Sequence, residues 1–134
     1  MNVISDDLCA GEVMRRTFVT AEPEDTVGEV AQKLAKEDAG SALVVELGRL
    51  TGILTLRDVL RMVSERAHPS EARVREWMTA EPITASLDTP ADEAARQMLS
   101  RGFHHLPVVE EGRPVGVVGL RSVIGALKTG FPGW

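Results

Sequence analysis

Residues 44–58, Val44-Val45-Glu46-Leu47-Gly48-Arg49-Leu50-Thr51-Gly52-Ile53-Leu54-Thr55-Leu56-Arg57-Asp58, return 64 positions later as Val108-Val109-Glu110-Glu111-Gly112-Arg113-Pro114-Val115-Gly116-Val117-Val118-Gly119-Leu120-Arg121-Ser122. In each stretch two β-rich runs flank a glycine turn, the pattern of a hairpin, and the second run feeds directly into a helix-forming segment. The same offset, without a gap, pairs Met14 with Met78, Thr20 with Thr84, Glu29 with Glu93 and Ala31 with Ala95. Two copies of this length point to a pseudo-twofold duplicate and not to an open solenoid.

Working outward from the hairpins, residues 18–21 and 83–85 form short candidate strands, each followed by acidic and turn-forming residues that can begin a helix. The helix starts near Thr26 or Pro90, with an apolar stripe of Val27, Val30, Ala31 and Leu34 matched by Ala91, Ala94, Ala95 and Met98. The hairpin runs are 42–46 with 50–54 and 106–110 with 115–118. A closing helix carries Leu56, Val59, Leu60 and Val63, then Leu120, Val123, Ile124 and Leu127, at i, i+3, i+4 and i+7. Each repeat therefore reads strand, helix, strand, strand, helix, an α+β fold. The polar stretch 66–75, RAHPSEARVR, breaks the hydrophobic pattern. The expected partition is repeat 1 over 8–67, linker over 68–75, repeat 2 over 76–128 and a C-terminal tail over 129–134. Helices on one face of a small sheet leave its other face in need of a cover, and the other repeat is the nearest candidate. Sheet-to-sheet packing about a pseudo-twofold axis predicts two related clefts between the copies, a favoured type of ligand site.

A length of 134 residues suits one compact domain or two closely packed halves, since a single core supports about 100–200 residues. With 43% hydrophobic and 26% charged residues the composition excludes a fibrous or largely disordered chain. Fifteen basic against twenty acidic residues give a net charge of -5, which disfavours general nucleic-acid binding but allows a local site for one phosphate. Cys9 is the only cysteine, so no internal disulfide forms, as in a reducing compartment. No apolar run approaches the roughly 18 residues of a membrane span, and the acidic start MNVISDDLCAGEV lacks the layout of a secretory leader. The expectation is a cytoplasmic protein without a membrane partner.

Chemical content concentrates where the first hairpin enters its closing helix. The first-turn amides of a helix lack intrahelical acceptors and carry partial positive charge, which favours a nearby anion such as phosphate. Thr55 supplies a hydroxyl and Asp58 a carboxylate, a combination suited to the paired hydroxyls of a ribose. The same Thr-x-x-Asp spacing fits a capping box, and by spacing alone the cap is the more economical reading. The second copy has Gly119 and Ser122 in place of Thr55 and Asp58, so whatever the pair does, it does once.

The ordered set of Met14 and Met78 opening the copies, Leu106-Pro107-Val108-Val109 before the second turn, and Gly52-Ile53-Leu54-Thr55-Leu56-Arg57-Asp58 closing the first hairpin resembles the CBS-domain pair, or Bateman module, over residues 8–128. The resemblance implies a β-α-β-β-α fold per repeat and a regulatory role in sensing an adenosine-containing ligand: AMP, ADP, ATP with or without magnesium, or S-adenosylmethionine. It implies that pairs dimerise into a disc through helical faces. Carried over by position, it implies a ligand site of Ile53, Thr55 and Asp58 with Thr79, Ile83, Phe103 and His104, with His105 or Arg57 near phosphate. A degenerate second site would combine Val19, Gly40 and Ser41 with Gly119 and Ser122, and it lacks the ribose-binding acid. The first copy departs from the family in having Ala42-Leu43 where Leu-Pro is usual.

Adjacent histidines in a strand point to opposite faces, so His104 and His105 do not chelate one metal together, and no Cys/His cluster supports zinc. Trp77 and Trp134 read as packing anchors, and the tail Thr129-Gly130-Phe131-Pro132-Gly133-Trp134 as a frayed end or a docking segment. No Gly-x-Ser-x-Gly elbow, HExxH helix or Walker loop is present, and Ser41 has no evident base, so no enzymatic role is expected. With no length for an effector domain, a sensor of this size would signal to a separate protein or through its oligomer. A ligand-independent dimerisation or protein-interaction scaffold, in which Thr55 and Asp58 only cap a helix, is the competing expectation.

Overall fold

A computed structural model describes residues 8–128, in a mixed arrangement of helices and strands. The tail over 129–134, including Phe131 and Trp134, lies outside the described residues. The elements, in chain order, are α1 (Ala10–Val13), β1 (Val19–Ala21), α2 (Val27–Glu37), β2 (Ser41–Glu46), β3 (Arg49–Thr55), α3 (Leu56–Ser64), α4 (Val74–Trp77), β4 (Thr79–Ala80), α5 (Ala91–Arg101), β5 (His105–Glu110), β6 (Arg113–Gly119) and α6 (Leu120–Lys128). They form two compact units. One holds residues 18–82 with 112–114, and the other the described residues of 8–17, 83–111 and 115–128.

In the first unit the strands run in the order β1-β2-β3-β4, with β1 parallel to β2 and the remaining pairs antiparallel. The β2–β3 turn is the two residues Leu47 and Gly48, at φ 54° and 81°, and Glu111 and Gly112 repeat these values between β5 and β6. A two-residue hairpin of this type I′ form needs positive φ at both positions, which is why each turn keeps its glycine second and tolerates strain at the first. Ala42, Val44 and Leu54 join Val27, Val30, Leu34 and Met62 in the core beneath α2 and α3. Leu43 and Ile53, paired across the ladder on the other face, are buried as well. In the second unit Ala91, Ala94, Ala95 and Met98 of α5 pack with Leu106, Val108, Val118 and Val123.

Three expectations change. Residues 83–85 do not form a strand: Ala85 alone bridges Val108, donating to the Pro107 carbonyl at 2.9 Å and accepting from Val109 at 2.9 Å. The next rung of such a parallel ladder would need an N–H at Pro107, which proline lacks. Leu43, its counterpart in the first copy, keeps that N–H, and there the pairing extends over Val19, Thr20 and Ala21. Second, the apolar stripe of α3 is not buried. Leu56, Leu60 and Val63 are 50%, 70% and 57% exposed, because the helix turns Met62, with Val59 beside it, onto the core. Third, 66–75 is more than a polar tether, since Ala72 and Val74 are core residues.

Each unit is closed by an opening segment from the other sequence copy. The Val74 and Arg75 amides donate to the Asp25 and Pro23 carbonyls at 2.9 and 3.0 Å, and β4 pairs with β3 through Gly52–Ala80 and Ile53–Thr79. In the second unit the Ala10 and Gly11 amides donate to the Thr89 and Leu87 carbonyls at 2.7 and 2.8 Å, and Arg15 exchanges two hydrogen bonds with Val117. The matched methionines and glycines meet crosswise as well. A Cβ added to Gly52 would lie 2.5 Å from the Met78 sulfur, and one added to Gly116 would collide with Met14, so only glycine admits the thioether at either place.

Candidate functional site

The β3–α3 junction is assembled by local hydrogen bonds. Thr55 is the N-cap of α3: its amide donates to Asp58 Oδ2 at 2.8 Å, its hydroxyl to the same oxygen at 3.1 Å, and the Asp58 amide returns a bond to Thr55 Oγ1 at 3.4 Å. The capping box expected from the spacing is present. A carboxylate offers about four acceptor positions, and Oδ2 takes both bonds from Thr55. Oδ1 faces Arg61 Nη2 at an ion-pair distance of 3.6 Å, and 14% of the Asp58 side chain is exposed. Thr26 and Glu29 build the same box at the start of α2, where the Thr26 amide, then its hydroxyl, hold the Glu29 carboxyl below the usual carboxylate range.

The other residues singled out in this unit gather around the same junction. Ile53 is buried and pairs with the exposed Thr79. Ser41 stands opposite Thr55 in the β2–β3 ladder and is the one buried polar residue among the described residues. The Gly40 carbonyl accepts from the Leu56 amide at 3.1 Å. Gly40 and Ser41 thus adjoin Thr55, and Val19 of β1 belongs to the same unit. Arg57 is exposed on the first turn of α3.

The second unit carries the rest. Ile83 and Phe103 are half-buried against its core. The His104 carbonyl accepts from the Leu120 amide at 2.8 Å, as Gly40 does from Leu56, and the His104 side chain is exposed. His105 opens β5 partly buried, and burial, followed by the charge of His104, holds its imidazole below the ordinary value. At the start of α6, a Cβ on Gly119 would meet only Ser122 Oγ, at 3.8 Å, and Ser122 stands at the position that Asp58 holds in α3. Among the described residues no three His, Cys, Asp or Glu side chains cluster as a metal site.

Arg61 was not singled out by its sequence. Beyond Asp58, its Nη2 donates to the Trp77 carbonyl at 3.0 Å, its guanidinium lies 4.8 Å from the centroid of the Trp77 ring, and Nη1 is 3.9 Å from Glu65 Oε2. The available signal was the internal comparison: 64 positions on, Asp58 becomes Ser122 and Arg61 becomes Gly125.

Comparison with known proteins gives the same picture twice along the chain. The CBS domain family model matches residues 10–65 and again 74–129. A protein of Methanopyrus kandleri, MK0525, is 34% identical over 117 residues, covering 85% of this chain and 60% of that protein. The first curated relatives extend beyond the match, which spans 60%, 18% and 64% of their lengths. Among solved structures, CBS domain protein PAE2072 from Pyrobaculum aerophilum, complexed with AMP, superposes with a TM-score of 0.81 at 27% identity, over 91% of this chain and 99% of that one. The CBS domain pair of MJ0100, in complex with 5-methylthioadenosine and S-adenosyl-L-methionine, gives 0.82 at 27% identity, over 92% and 97%. With its two copies each matched by the family model and the fold shared with these pairs, the chain belongs to the CBS domain family as a tandem repeat.

Proposed function

We propose that the chain is a regulatory module that binds one adenosine-containing ligand, AMP, ADP, ATP or S-adenosylmethionine, with the ribose held by Thr55 and Asp58. The observation that carries the reading is the hydroxyl–carboxylate pair at the start of α3, fixed in place by its own hydrogen bonds and leaving Asp58 Oδ1 able to accept from a sugar hydroxyl. Relatives of the same fold complexed with AMP and with S-adenosyl-L-methionine support the ligand class. Ile53 and Thr79 on the adjoining strands and Arg57 on the first turn complete the proposed set in this unit. Ile83, Phe103, His104 and His105 enter the proposal on the sequence resemblance alone. The replacement of Thr55 and Asp58 by Gly119 and Ser122 in the other copy supports a stoichiometry of one, with Val19, Gly40 and Ser41 not forming a second ribose site.

The role is regulatory and not catalytic in this reading. Occupancy biases one of two arrangements of the protein, and a differential affinity of about 1–3 kcal/mol is typical of such coupling. The readout is proposed to be a separate effector protein in the cytoplasm, reached through a homodimer. Support for the dimer is the exposed stripe Leu56, Leu60 and Val63; no helix among the described residues is long and apolar enough to cross a membrane.

The complete capping box favours a second reading, a scaffold that binds no small molecule. Thermal melts with AMP, ADP, ATP with and without Mg2+, and S-adenosylmethionine separate the two. A ligand at 100 times its Kd adds about 2.7 kcal/mol, or roughly 10 °C at this chain length. Silence toward all of them leaves the scaffold.

A further inference from the structure

Resting on the reading of Thr55 and Asp58 as the ribose pair, we propose that Arg61 is the positioning residue of that pair, holding the Asp58 carboxylate and tying it to the segment that delivers Thr79. Arg61 lies three residues beyond Asp58, so both project from one side of α3. Its guanidinium faces Asp58 Oδ1, donates to the Trp77 carbonyl and covers the Trp77 ring. Two residues after Trp77 the chain reaches Thr79, the ladder partner of Ile53. A planar fork held over an aromatic face fixes these directions together, which a lysine ammonium does not. The arrangement contributes little as a surface ion pair, since Arg61 is 47% exposed.

The internal repeat supplies an independent argument. At the offset of 64, Thr55, Asp58 and Arg61 become Gly119, Ser122 and Gly125, and Trp77 corresponds to Val13. All four are missing from the other copy together, while the residues that build the fold, Gly52 with Gly116, Leu56 with Leu120 and Met78 with Met14, persist. Crowding at the backbone does not explain the loss, because a Cβ on Gly125 meets nothing within 4 Å. Arg61 follows the carboxylate and not the helix.

The test is calorimetric titration of the full chain with adenosine and with AMP, for the wild type, Arg61→Ala, Arg61→Lys, Asp58→Ala and Arg61→Ala/Asp58→Ala. Arg61→Ala is expected to weaken both probes by the same factor, about 5- to 20-fold, and to add no loss in the Asp58→Ala background. Arg61→Lys, which keeps the charge and is expected to melt close to the wild type, is expected to show the same loss. Wild-type affinity in either Arg61 variant overturns the proposal. So does a loss confined to AMP, which would make Arg61 a phosphate ligand, or a loss that persists without Asp58. Those outcomes leave the ribose reading standing; a wild type that binds neither probe is titrated with ADP, ATP and S-adenosylmethionine, the one that binds replaces AMP in the series, and silence toward all of them removes that reading and this one together.

Discussion

Asp58→Ala separates the two things the Thr55–Asp58 pair can do, because Thr26–Glu29 provides a control of the same chemistry in the same unit. Removing the Asp58 carboxylate strips the Thr55 amide and hydroxyl of their acceptor, at 2.8 and 3.1 Å, and leaves Arg61 without its nearer carboxylate. Loss of half a capping box costs about 1–2 kcal/mol, which at this chain length lowers Tm by roughly 4–8 °C. Glu29→Ala cuts the equivalent bonds, at 3.0 and 2.9 Å, and is expected to lower Tm as well. The ligand response is where they part. Hydrogen bonds to a charged group contribute about 1.5–3 kcal/mol, so Asp58→Ala is expected to weaken AMP or S-adenosylmethionine roughly 10- to 200-fold, while Glu29→Ala leaves affinity unchanged. Differential scanning fluorimetry for stability and calorimetry for affinity read the two effects separately. If Asp58→Ala melts lower yet binds as tightly as the wild type, the pair is a cap and nothing more.

Gly52→Ala places a methyl 2.5 Å from the Met78 sulfur and 3.0 Å from the Thr79 carbonyl oxygen, and overpacking of this kind costs about 1–3 kcal/mol. Gly102→Ala, where a Cβ meets nothing within 4 Å but φ is 77°, carries backbone strain alone, and urea denaturation of the two is expected to rank Gly52→Ala as the more damaging. His105, depressed by burial, binds its proton less readily folded than unfolded, so stability is expected to fall as pH drops below the ordinary imidazole value of about 6.5. Melts between pH 7.5 and 5 are expected to show a shallower decline in His105→Gln, and an identical decline would rule out His105 as the source. Leu60→Glu, on the exposed stripe of α3, is expected to yield a monomer in sedimentation with ligand affinity retained, and a dimer unaffected by it would place the interface elsewhere.

Periodicity reported the fold where one element's own residues decided it. The stripe Val27, Val30 and Leu34 is buried, Ala91, Ala94, Ala95 and Met98 likewise, and both glycine turns close hairpins. It failed where a distant group decides. The shortening of the second parallel pairing follows from a missing N–H at Pro107, on the neighbouring strand. In α3, helical spacing reveals that Leu56, Leu60 and Val63 share a side, but not that the core lies under Met62. For the site, Thr55 and Asp58 were legible because their partnership spans three residues. Arg61 was harder to see, since one of its partners, Trp77, lies sixteen residues away and joins through a backbone carbonyl that no side-chain pattern announces.

The exchanged openings carry a consequence for how such a chain could have arisen and how it can be cut. A polypeptide of one copy alone would carry Met14 but not the Gly116 it seats against, and its own Gly52 would wait for a methionine that is not there. Half the gene therefore encodes no finished half of the protein. A single copy would be complete only by trading its first segment with a twin, and joining two copies in one chain turns such a reciprocal loan between molecules into a property of one.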